Sequence, residues 1–177
     1  MAEVFPLSRS TQANPSMTPG GVSWSVPAKS LLTPRRLDLA VKWRFFRHLY
    51  GGNDQDAERV YRWHIEERSG ERMRAGLTTD QWKESIDDYA ASATNLYMSM
   101  SFRGFIPEHA VAIDPRGELL DGSHRVACAL ALDCKVWVVP QGRYVWAPSW
   151  GLPWFMGHGM NVADLARLQD DWKEMTA

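Results

Sequence analysis

The most constraining feature of this chain is the stretch Glu118–Leu132, which reads ELLDGSHRVACALAL. Its first residues favour a short strand, and Asp121-Gly122 is a pair typical of tight turns. The alanine-rich remainder predicts a helix that can pack closely against a sheet. Ser123 is expected to cap this helix, because its hydroxyl can accept a free N–H of the first turn. The stretch therefore predicts a strand, a turn and a helix in immediate succession.

Two basic residues, His124 and Arg125, fall in the first turn of that helix. The positive end of the helix dipole does not favour cations. Basic side chains beside free N–H groups are explained if an anion binds there, and phosphate is the usual anion at such a helix end. A surface pair without a ligand is the alternative interpretation of the two residues.

The run Asp121-Gly122-Ser123-His124-Arg125 resembles the DG-x-HR signature of the ParB/sulfiredoxin-like fold. The segment Ser99–Ile113 resembles the ParB box, and Lys135–Pro140 reads as the strand after the helix. The likeness spans residues 95–140. It implies nucleotide binding, with the histidine-arginine pair on phosphates. Members of the fold include a chromosome-partition CTPase, an ATP-dependent sulfinic acid reductase and kinases for free serine. The chain also resembles a branch found in polysaccharide and natural-product gene sets.

Departures from the family patterns narrow the expected activity. Sulfiredoxin has a nucleophilic cysteine where this chain has Ser123, and a hydroxyl cannot replace a thiolate without a strong base. The segment after Pro140 is aromatic and not basic, which argues against the DNA partitioning of ParB. Like the serine kinases, the chain keeps an acidic residue before the histidine-arginine pair. The resemblance therefore favours an ATP-dependent phosphotransferase acting on a small hydroxylated metabolite, such as an amino acid or a sugar.

Phosphoryl transfer needs a phosphate cradle, usually a metal ion, and a group that orients the acceptor hydroxyl. Asp121 is the first candidate to hold Mg²⁺ or orient the hydroxyl, although it could equally be a turn residue whose carboxylate binds the backbone. Glu118 and Glu108 are weaker catalytic candidates. The chain has no Walker loop and no zinc-ligand spacing. The predicted ATP-binding cradle consists of Gly122, Ser123, His124 and Arg125.

Two further function classes compete with the kinase. One is a nucleotide-binding module without catalysis, acting as a regulatory or accessory subunit. The other is a nuclease or nucleic-acid binder, but the net charge of −1 does not predict a basic stripe. No apolar run reaches the ~18 residues that span a bilayer, no signal peptide is recognisable, and two cysteines are too few for a disulfide framework. We therefore expect a cytoplasmic protein whose partners are a nucleotide and a small substrate.

The order of elements predicts an α+β fold, with a small mixed sheet of the ParB/sulfiredoxin type, three preceding helices and a C-terminal helix. Residues 1–33 are rich in proline, glycine and serine and are expected to form a flexible tail that partly wraps the body through Trp24 and Val26. Residues 34–177 are expected to form one domain, with a helical part at 34–101 and an aromatic loop and helix at 141–177.

Local signals set the expected helix bounds. The first helix is predicted to begin at Thr33-Pro34 and end at Gly51-Gly52. The second is expected over Asp54–Arg68 with Gly70 as its stop, and the third after a capping box of Thr78 with Gln81. Asn161 is expected to cap the last helix.

Several side chains of these helices leave more than one interpretation open. His64 falls on the apolar face of the second helix and is expected to be packed and hydrogen bonded. Asp87 and Asp88 lie off the core stripe of the third helix and are expected to be solvated. The aromatic segment 144–155 fits a lid over a pocket, a base-stacking surface or core filling. The bases of the first helix are expected on a solvated face, or in part on a phosphate or an acidic partner; they are Arg35, Arg36, Lys42, Arg44 and Arg47.

Overall fold

The computed structural model describes residues 22–74, 83–141 and 149–177. Over these residues the protein is α+β, as predicted, with a three-stranded mixed sheet and six α-helices. The strands are β1 (Trp24–Pro27), β2 (Val111–Ile113) and β3 (Lys135–Pro140). The helices are α1 (Asp38–Leu49), α2 (Gln55–Arg74), α3 (Ile86–Arg103), α4 (Ser123–Ala131), α5 (Leu152–Gly157) and α6 (Val162–Thr176). Two short 3-10 helices cover Ala28–Leu31 and Pro107–His109.

The central strand of the sheet is β3, and the strand order is β1-β3-β2. β2 runs parallel to β3, with Val111 opposite Val138, and β1 runs antiparallel to β3. Parallel neighbours need a crossover connection, and α4 supplies it between β2 and β3. Val136 and Val138 of β3 are fully buried. The observed bounds of β3 are those that the sequence predicts.

A tight turn after β2 sets the start of the crossover. The N–H of Asp114 donates to the carbonyl of Glu118 at 2.9 Å, and Gly117 adopts a positive φ of 83°. Ile113 and Leu119 form an isolated antiparallel bridge. The buried carboxylate of Asp114 accepts the N–H groups of Arg116 and Glu118 at 2.8 and 2.9 Å. These contacts fix the path of the chain from β2 to Asp121 at the edge of the sheet.

The helices build the core on the sheet. α4 packs mainly against α1, and α1 also contacts α2, α3 and α6. The alanines of α4 predict close packing, and Val126, Ala127, Cys128 and Ala129 are fully buried. Within α1, Leu39, Phe45 and Phe46 are almost completely buried. None of the helices in the described ranges combines the length and the apolar character that crossing a membrane requires.

Part of the predicted tail belongs to the sheet. Residues Trp24–Pro27 form β1 on β3, with Val26 opposite Val136, and Ala28–Leu31 follow as a 3-10 helix. Trp24 and Val26 therefore contact the body as predicted, but as part of a regular strand and not of a flexible tail, because strand pairing with a distant segment leaves no local signal. The remaining tail residues, 1–21, lie outside the described part of the chain.

Three predicted helix bounds are wrong. α1 begins at Asp38, since Pro34 and Arg35 form a turn and Arg36 forms an isolated bridge with Trp150 before it. α2 continues through Gly70 to Arg74 because Gly70 is buried inside the helix and does not serve as a C-cap. α3 begins after Ser85, whose side chain accepts the N–H of Asp88 while the Asp88 carboxylate accepts the N–H of Ser85. Asp88 is thus a capping residue. Thr78 and Gln81 lie outside the described residues.

Candidate active site at the start of α4

The N-cap of α4 is Gly122, which adopts a left-handed conformation with φ 89° and ψ 23°. A Cβ at this position would lie 2.5 Å from Cγ1 of Val111, so only glycine fits between the turn and β2. Ser123 is the first residue of the helix, and no side chain caps it. The prediction of a Ser123 cap is therefore wrong, because the glycine of the turn itself occupies the N-cap position.

The candidate carboxylates do not form one cluster. The side chain of Asp121 is 65% exposed and lies 3.4 Å from Nη2 of Arg125. Glu118 is paired with Arg35 at 3.4 Å and with Arg116 at 3.5 Å. Glu108 is exposed in the 3-10 helix before β2. No group of three or more possible metal ligands occurs among the described residues, so a metal ion at this site would rely on Asp121 and on oxygens of the ligand.

Arg125 contacts the backbone of the loop before β2. Its Nη1 donates to the carbonyl of His109 and, at 3.1 Å, to that of Ala110. The Arg125 side chain is 25% exposed. Its guanidinium therefore joins the first turn of α4 to the segment that resembles the ParB box. The resemblance implies phosphate as the partner of Arg125, whereas the structure shows two carbonyl groups and Asp121.

His124 faces the interior and contacts α2. Its Nε2 lies 2.9 Å from the hydroxyl oxygen of Tyr61. The one hydrogen of that hydroxyl can go either to Nε2 or to the carbonyl of Tyr89, which lies 3.3 Å away. Burial lowers the pKa of His124 well below its usual value, and the nearby cations Lys42, Lys83 and Arg68 lower it further. His124 is therefore neutral at pH 7 and can offer a hydrogen bond, but no charge, to a ligand.

Behind His124 lies a buried ion-pair network that sequence reasoning missed. Asp38 accepts Nε and Nη2 of Arg36 at 2.8 and 3.1 Å and lies 2.5 Å from Nζ of Lys42. Asp38 and Lys42 are fully buried, and Arg36 is 3% exposed. Arg36 also donates to the carbonyl of Leu119 at 2.7 Å, which joins the network to the residues before Asp121. The prediction of a solvated face is wrong for Arg36 and Lys42.

Electrostatic effects inside this network are large. Burial alone would raise the pKa of Asp38, but Lys42 and Arg36 outweigh it and hold the pKa below its usual value. Burial lowers the pKa of Lys42 to about 8, against the attraction of Asp38. Three cations surround the ring of Trp150, with Arg68, Arg36 and Lys42 at 4.9, 5.1 and 5.9 Å from its centroid.

His64 completes what we call the interior cluster, which consists of Arg36, Asp38, Lys42, His64, Arg68 and Trp150. The ring of His64 is fully buried, stacks on Phe155 at 5.5 Å and meets the edge of Trp154 at 5.3 Å. Neither ring nitrogen has a hydrogen-bond partner among the described residues. His64 is thus packed as predicted but lacks the predicted hydrogen bond. Burial, followed by Lys42, lowers its pKa well below the usual value.

The aromatic segment fills the core around this cluster. Phe155 is fully buried, and Trp154 packs against Trp63 and His158 with centroid distances of 6.2 and 4.1 Å. These residues favour core filling over a base-stacking surface. Tyr144 and Trp146 lie outside the described residues.

Comparisons of the chain with protein-family models, with curated proteins and with solved structures found no match. The resemblance to the ParB/sulfiredoxin-like fold therefore stays a prediction. The α+β class and the small mixed sheet rest on the structure itself.

Proposed function

We propose that the protein binds ATP or another nucleoside triphosphate with its phosphates at the start of α4, and transfers the terminal phosphoryl group to a small hydroxylated metabolite. The observation that carries this proposal is the conformation of Gly122. A left-handed glycine without room for a Cβ precedes a nine-residue helix, next to an exposed carboxylate. Such a turn lets an anion approach free N–H groups at the positive end of a helix dipole.

The electrostatics of the interior cluster support an anion near this turn. Arg36, Lys42 and Arg68 carry positive charge, and Asp38 is the carboxylate that pairs with Arg36 and Lys42. The structure gives Arg68 no carboxylate partner within the described ranges; its contact there is the ring of Trp150. Lys42 is fully buried and Arg68 is half-buried, and charges removed from water are costly unless they are compensated. Phosphate oxygens close to His124 would provide compensation, since Lys42 and Arg68 both act on that ring.

The exposed carboxylate of Asp121 fits a metal-assisted reaction. A carboxylate beside a triphosphate would repel it unless a cation lies between them. Mg²⁺ is typically bound by one or two carboxylates together with phosphate oxygens, and when bound it would neutralise charge on the transferred group. In the proposed reaction the acceptor hydroxyl oxygen forms a bond to the terminal phosphorus, the bond to the bridging oxygen breaks, and the hydroxyl proton passes to a base or to water. Glu118 and Glu108 stay weaker candidates for orienting the hydroxyl.

An assay with nucleotide, Mg²⁺ and pools of amino acids and sugars tests the proposal. We expect ADP to form in the presence of an acceptor pool, because transfer of the terminal phosphoryl group of ATP releases ADP. Asp121→Asn is expected to fold, to bind ATP without metal, and to lose most turnover together with the affinity gained from Mg²⁺. The matched control is Asp133→Asn at the other end of α4, where φ is 49° and asparagine is well tolerated. Wild-type protein that binds neither ATP nor CTP in calorimetry would overturn the proposal.

A nucleotide-binding module without turnover is the second candidate function. The observation that favours it is the engagement of Arg125 with backbone carbonyls, which leaves fewer donors for a transferred phosphoryl group. Calorimetric binding of nucleotide without any product from the acceptor pools would select this function. If Asp121→Asn turns over at the wild-type rate, Asp121 is a turn residue, and the catalytic carboxylate has to be sought at Glu118 or Glu108.

A further inference from the structure

A cleft of about 370 Å³ lies between the end of α1, the loop that follows it and α6. Its lining shares no residue with the interior cluster or with the start of α4. Trp43 and the exposed Tyr50 contribute aromatic surface to its wall. A neighbouring depression of about 510 Å³ is also lined by Arg44, Asp54 and Arg167, so the cleft is open toward that side. Its volume lies within the range of small-molecule sites.

Asp171 is the decisive residue of this cleft. It is 2% exposed, and Oδ2 has no hydrogen-bond partner among the described residues. Nε of Arg44 lies 3.7 Å from Oδ2 but donates to Asp54 at 2.7 Å. Burial raises the pKa of Asp171, because this carboxyl is poorly compensated. A buried carboxylate oxygen without a donor is costly, so a ligand that brings an N–H donor would be stabilised here.

The cleft also offers a partner for an anionic group. Nε of Arg167 lies 3.2 Å from Oδ1 of Asp171, and the side chain of Arg167 is 58% exposed. Its terminal nitrogens are therefore open to solvent next to the buried carboxylate. The lining as a whole is balanced, since Arg44, Arg47 and Arg167 oppose Asp54, Asp171 and Glu174. A balanced lining favours a ligand that carries both signs of charge over one that carries a single sign.

We propose that this cleft binds a small zwitterionic metabolite, with its ammonium group on Oδ2 of Asp171 and its carboxylate on the guanidinium of Arg167. Because the two side chains touch each other, the two charges of the ligand must be close together, as they are in an α-amino acid. The exposed ring of Tyr50 can then contact an apolar side chain of the ligand. This site does not depend on the function proposed for the start of α4.

Nuclear magnetic resonance titration of the full chain tests the proposal with three matched probes. L-norvaline carries both groups, butylamine lacks the carboxylate and pentanoate lacks the amine, while all three share the same alkyl chain. We expect norvaline to shift the amide signals of residues 50–54 and 167–174 in a saturable manner. Butylamine and pentanoate are expected to bind at least tenfold more weakly. Absence of saturable shifts with norvaline up to its solubility limit, or equal binding of pentanoate, would overturn the proposal.

Variants separate the two ends of the ligand. Asp171→Asn is expected to weaken norvaline binding at least tenfold. Asp170→Asn is the matched control, because this neighbour is exposed and pairs with Lys173, and it should leave binding unchanged. Arg167→Gln changes an exposed side chain and should reduce norvaline affinity to that of butylamine, even if Asp171→Asn fails to fold. An equal loss in Asp170→Asn and Asp171→Asn would contradict the proposed contact, and so would wild-type norvaline affinity in Arg167→Gln.

Discussion

At the scale of single residues, Gly122 determines how closely the turn before α4 approaches β2. Replacement by alanine combines a left-handed backbone, which costs a residue with a Cβ roughly 1–2 kcal/mol, with a methyl group 2.5 Å from Cγ1 of Val111. Overpacking of this kind costs about 1–3 kcal/mol. We expect Gly122→Ala to lower the free energy of unfolding by about 2–5 kcal/mol, measured by urea denaturation.

Gly117 offers the matched control for this prediction. It also has a positive φ, of 83°, but a Cβ there would have no atom within 4 Å. Gly117→Ala should therefore show the backbone cost alone, roughly 1–2 kcal/mol. The double variant Gly122→Ala with Val111→Ala should still show the loss of unfolding free energy that comes from the left-handed backbone. Equal losses in the two single variants would mean that the turn moves away from Val111 without cost.

The turn at Gly122 can be predicted from the sequence, but the roles of its neighbours cannot. An aspartate-glycine pair before an alanine-rich run signals the turn and the helix. It does not signal that glycine takes the N-cap position, which shifts Ser123 into the first turn. His124 also looks like a free cation in the sequence. Its neutrality follows first from burial and then from nearby cations, among them Lys42 and Arg68 of other helices.

At the scale of elements, Arg125 joins α4 to the loop that precedes β2. Lysine has one nitrogen and cannot reproduce a guanidinium shared between the carbonyls of His109 and Ala110. A hydrogen bond involving a charged group contributes about 1.5–3 kcal/mol, so we expect Arg125→Lys to lose stability in this range. Hydrogen exchange of the amides in residues 107–113 should accelerate in the variant.

The control for this prediction is Arg59→Lys. Arg59 is 51% exposed and pairs with Asp56 and Asp164 on the surface, where an ion pair contributes at most about 1 kcal/mol. Arg59→Lys should leave the hydrogen exchange of residues 107–113 unchanged. It should change the free energy of unfolding by no more than this amount. Unchanged exchange in Arg125→Lys would show that the loop before β2 is held by other contacts.

Elements with local signals are predicted well, and elements that depend on distant partners are not. Alternating valines between charged and proline ends identify Lys135–Pro140, and Asn161 caps α6 through the N–H of Asp164, as predicted. β1 pairs with a strand more than a hundred residues later, so its formation depends on β3 and not on its own pattern. Gly70 is a helix stop by local preference, but tertiary packing carries α2 through it.

At the scale of the whole molecule, the charges of the interior cluster come from segments that the sequence separates. Asp38 and Lys42 are four residues apart on α1, a spacing that equally suits an exposed ion pair. Nothing local distinguishes the two environments. Burial arises because α1 is covered by α2, α4 and α6, and because Trp150 is held by the carbonyl of Arg35 at 2.8 Å. The sequence therefore predicts the apolar core but not this charged part of it.

The interior cluster should make the stability of the protein depend on pH through His64. Burial lowers the pKa of His64 in the folded state, whereas an unfolded histidine titrates near pH 6.5. Below that pH the unfolded chain binds a proton that the folded protein excludes, so stability falls as the pH falls. The stabilising contribution of neutral His64 is fully present above pH 6.5 and is lost toward the lower folded pKa.

His64→Phe isolates this contribution. Phenylalanine keeps the stacking on Phe155 and the contact with Trp154 but has no ring nitrogens to leave unpaired. A buried polar group without a partner costs about 1–3 kcal/mol, so the variant is expected to be more stable than the wild type at pH 7.5. Below pH 6.5 the difference in unfolding free energy between variant and wild type should widen by about 1.4 kcal/mol per pH unit, whereas between pH 6.5 and 7.5 it should be nearly constant.

Urea denaturation at half-unit intervals from pH 5 to 7.5 measures both the difference at pH 7.5 and its change with pH. His124 is present in both proteins, and burial is the main cause of its low folded-state pKa, so most of its contribution is common to the two. A difference that is independent of pH throughout this range would show that His64 is hydrated or protonated in the folded protein.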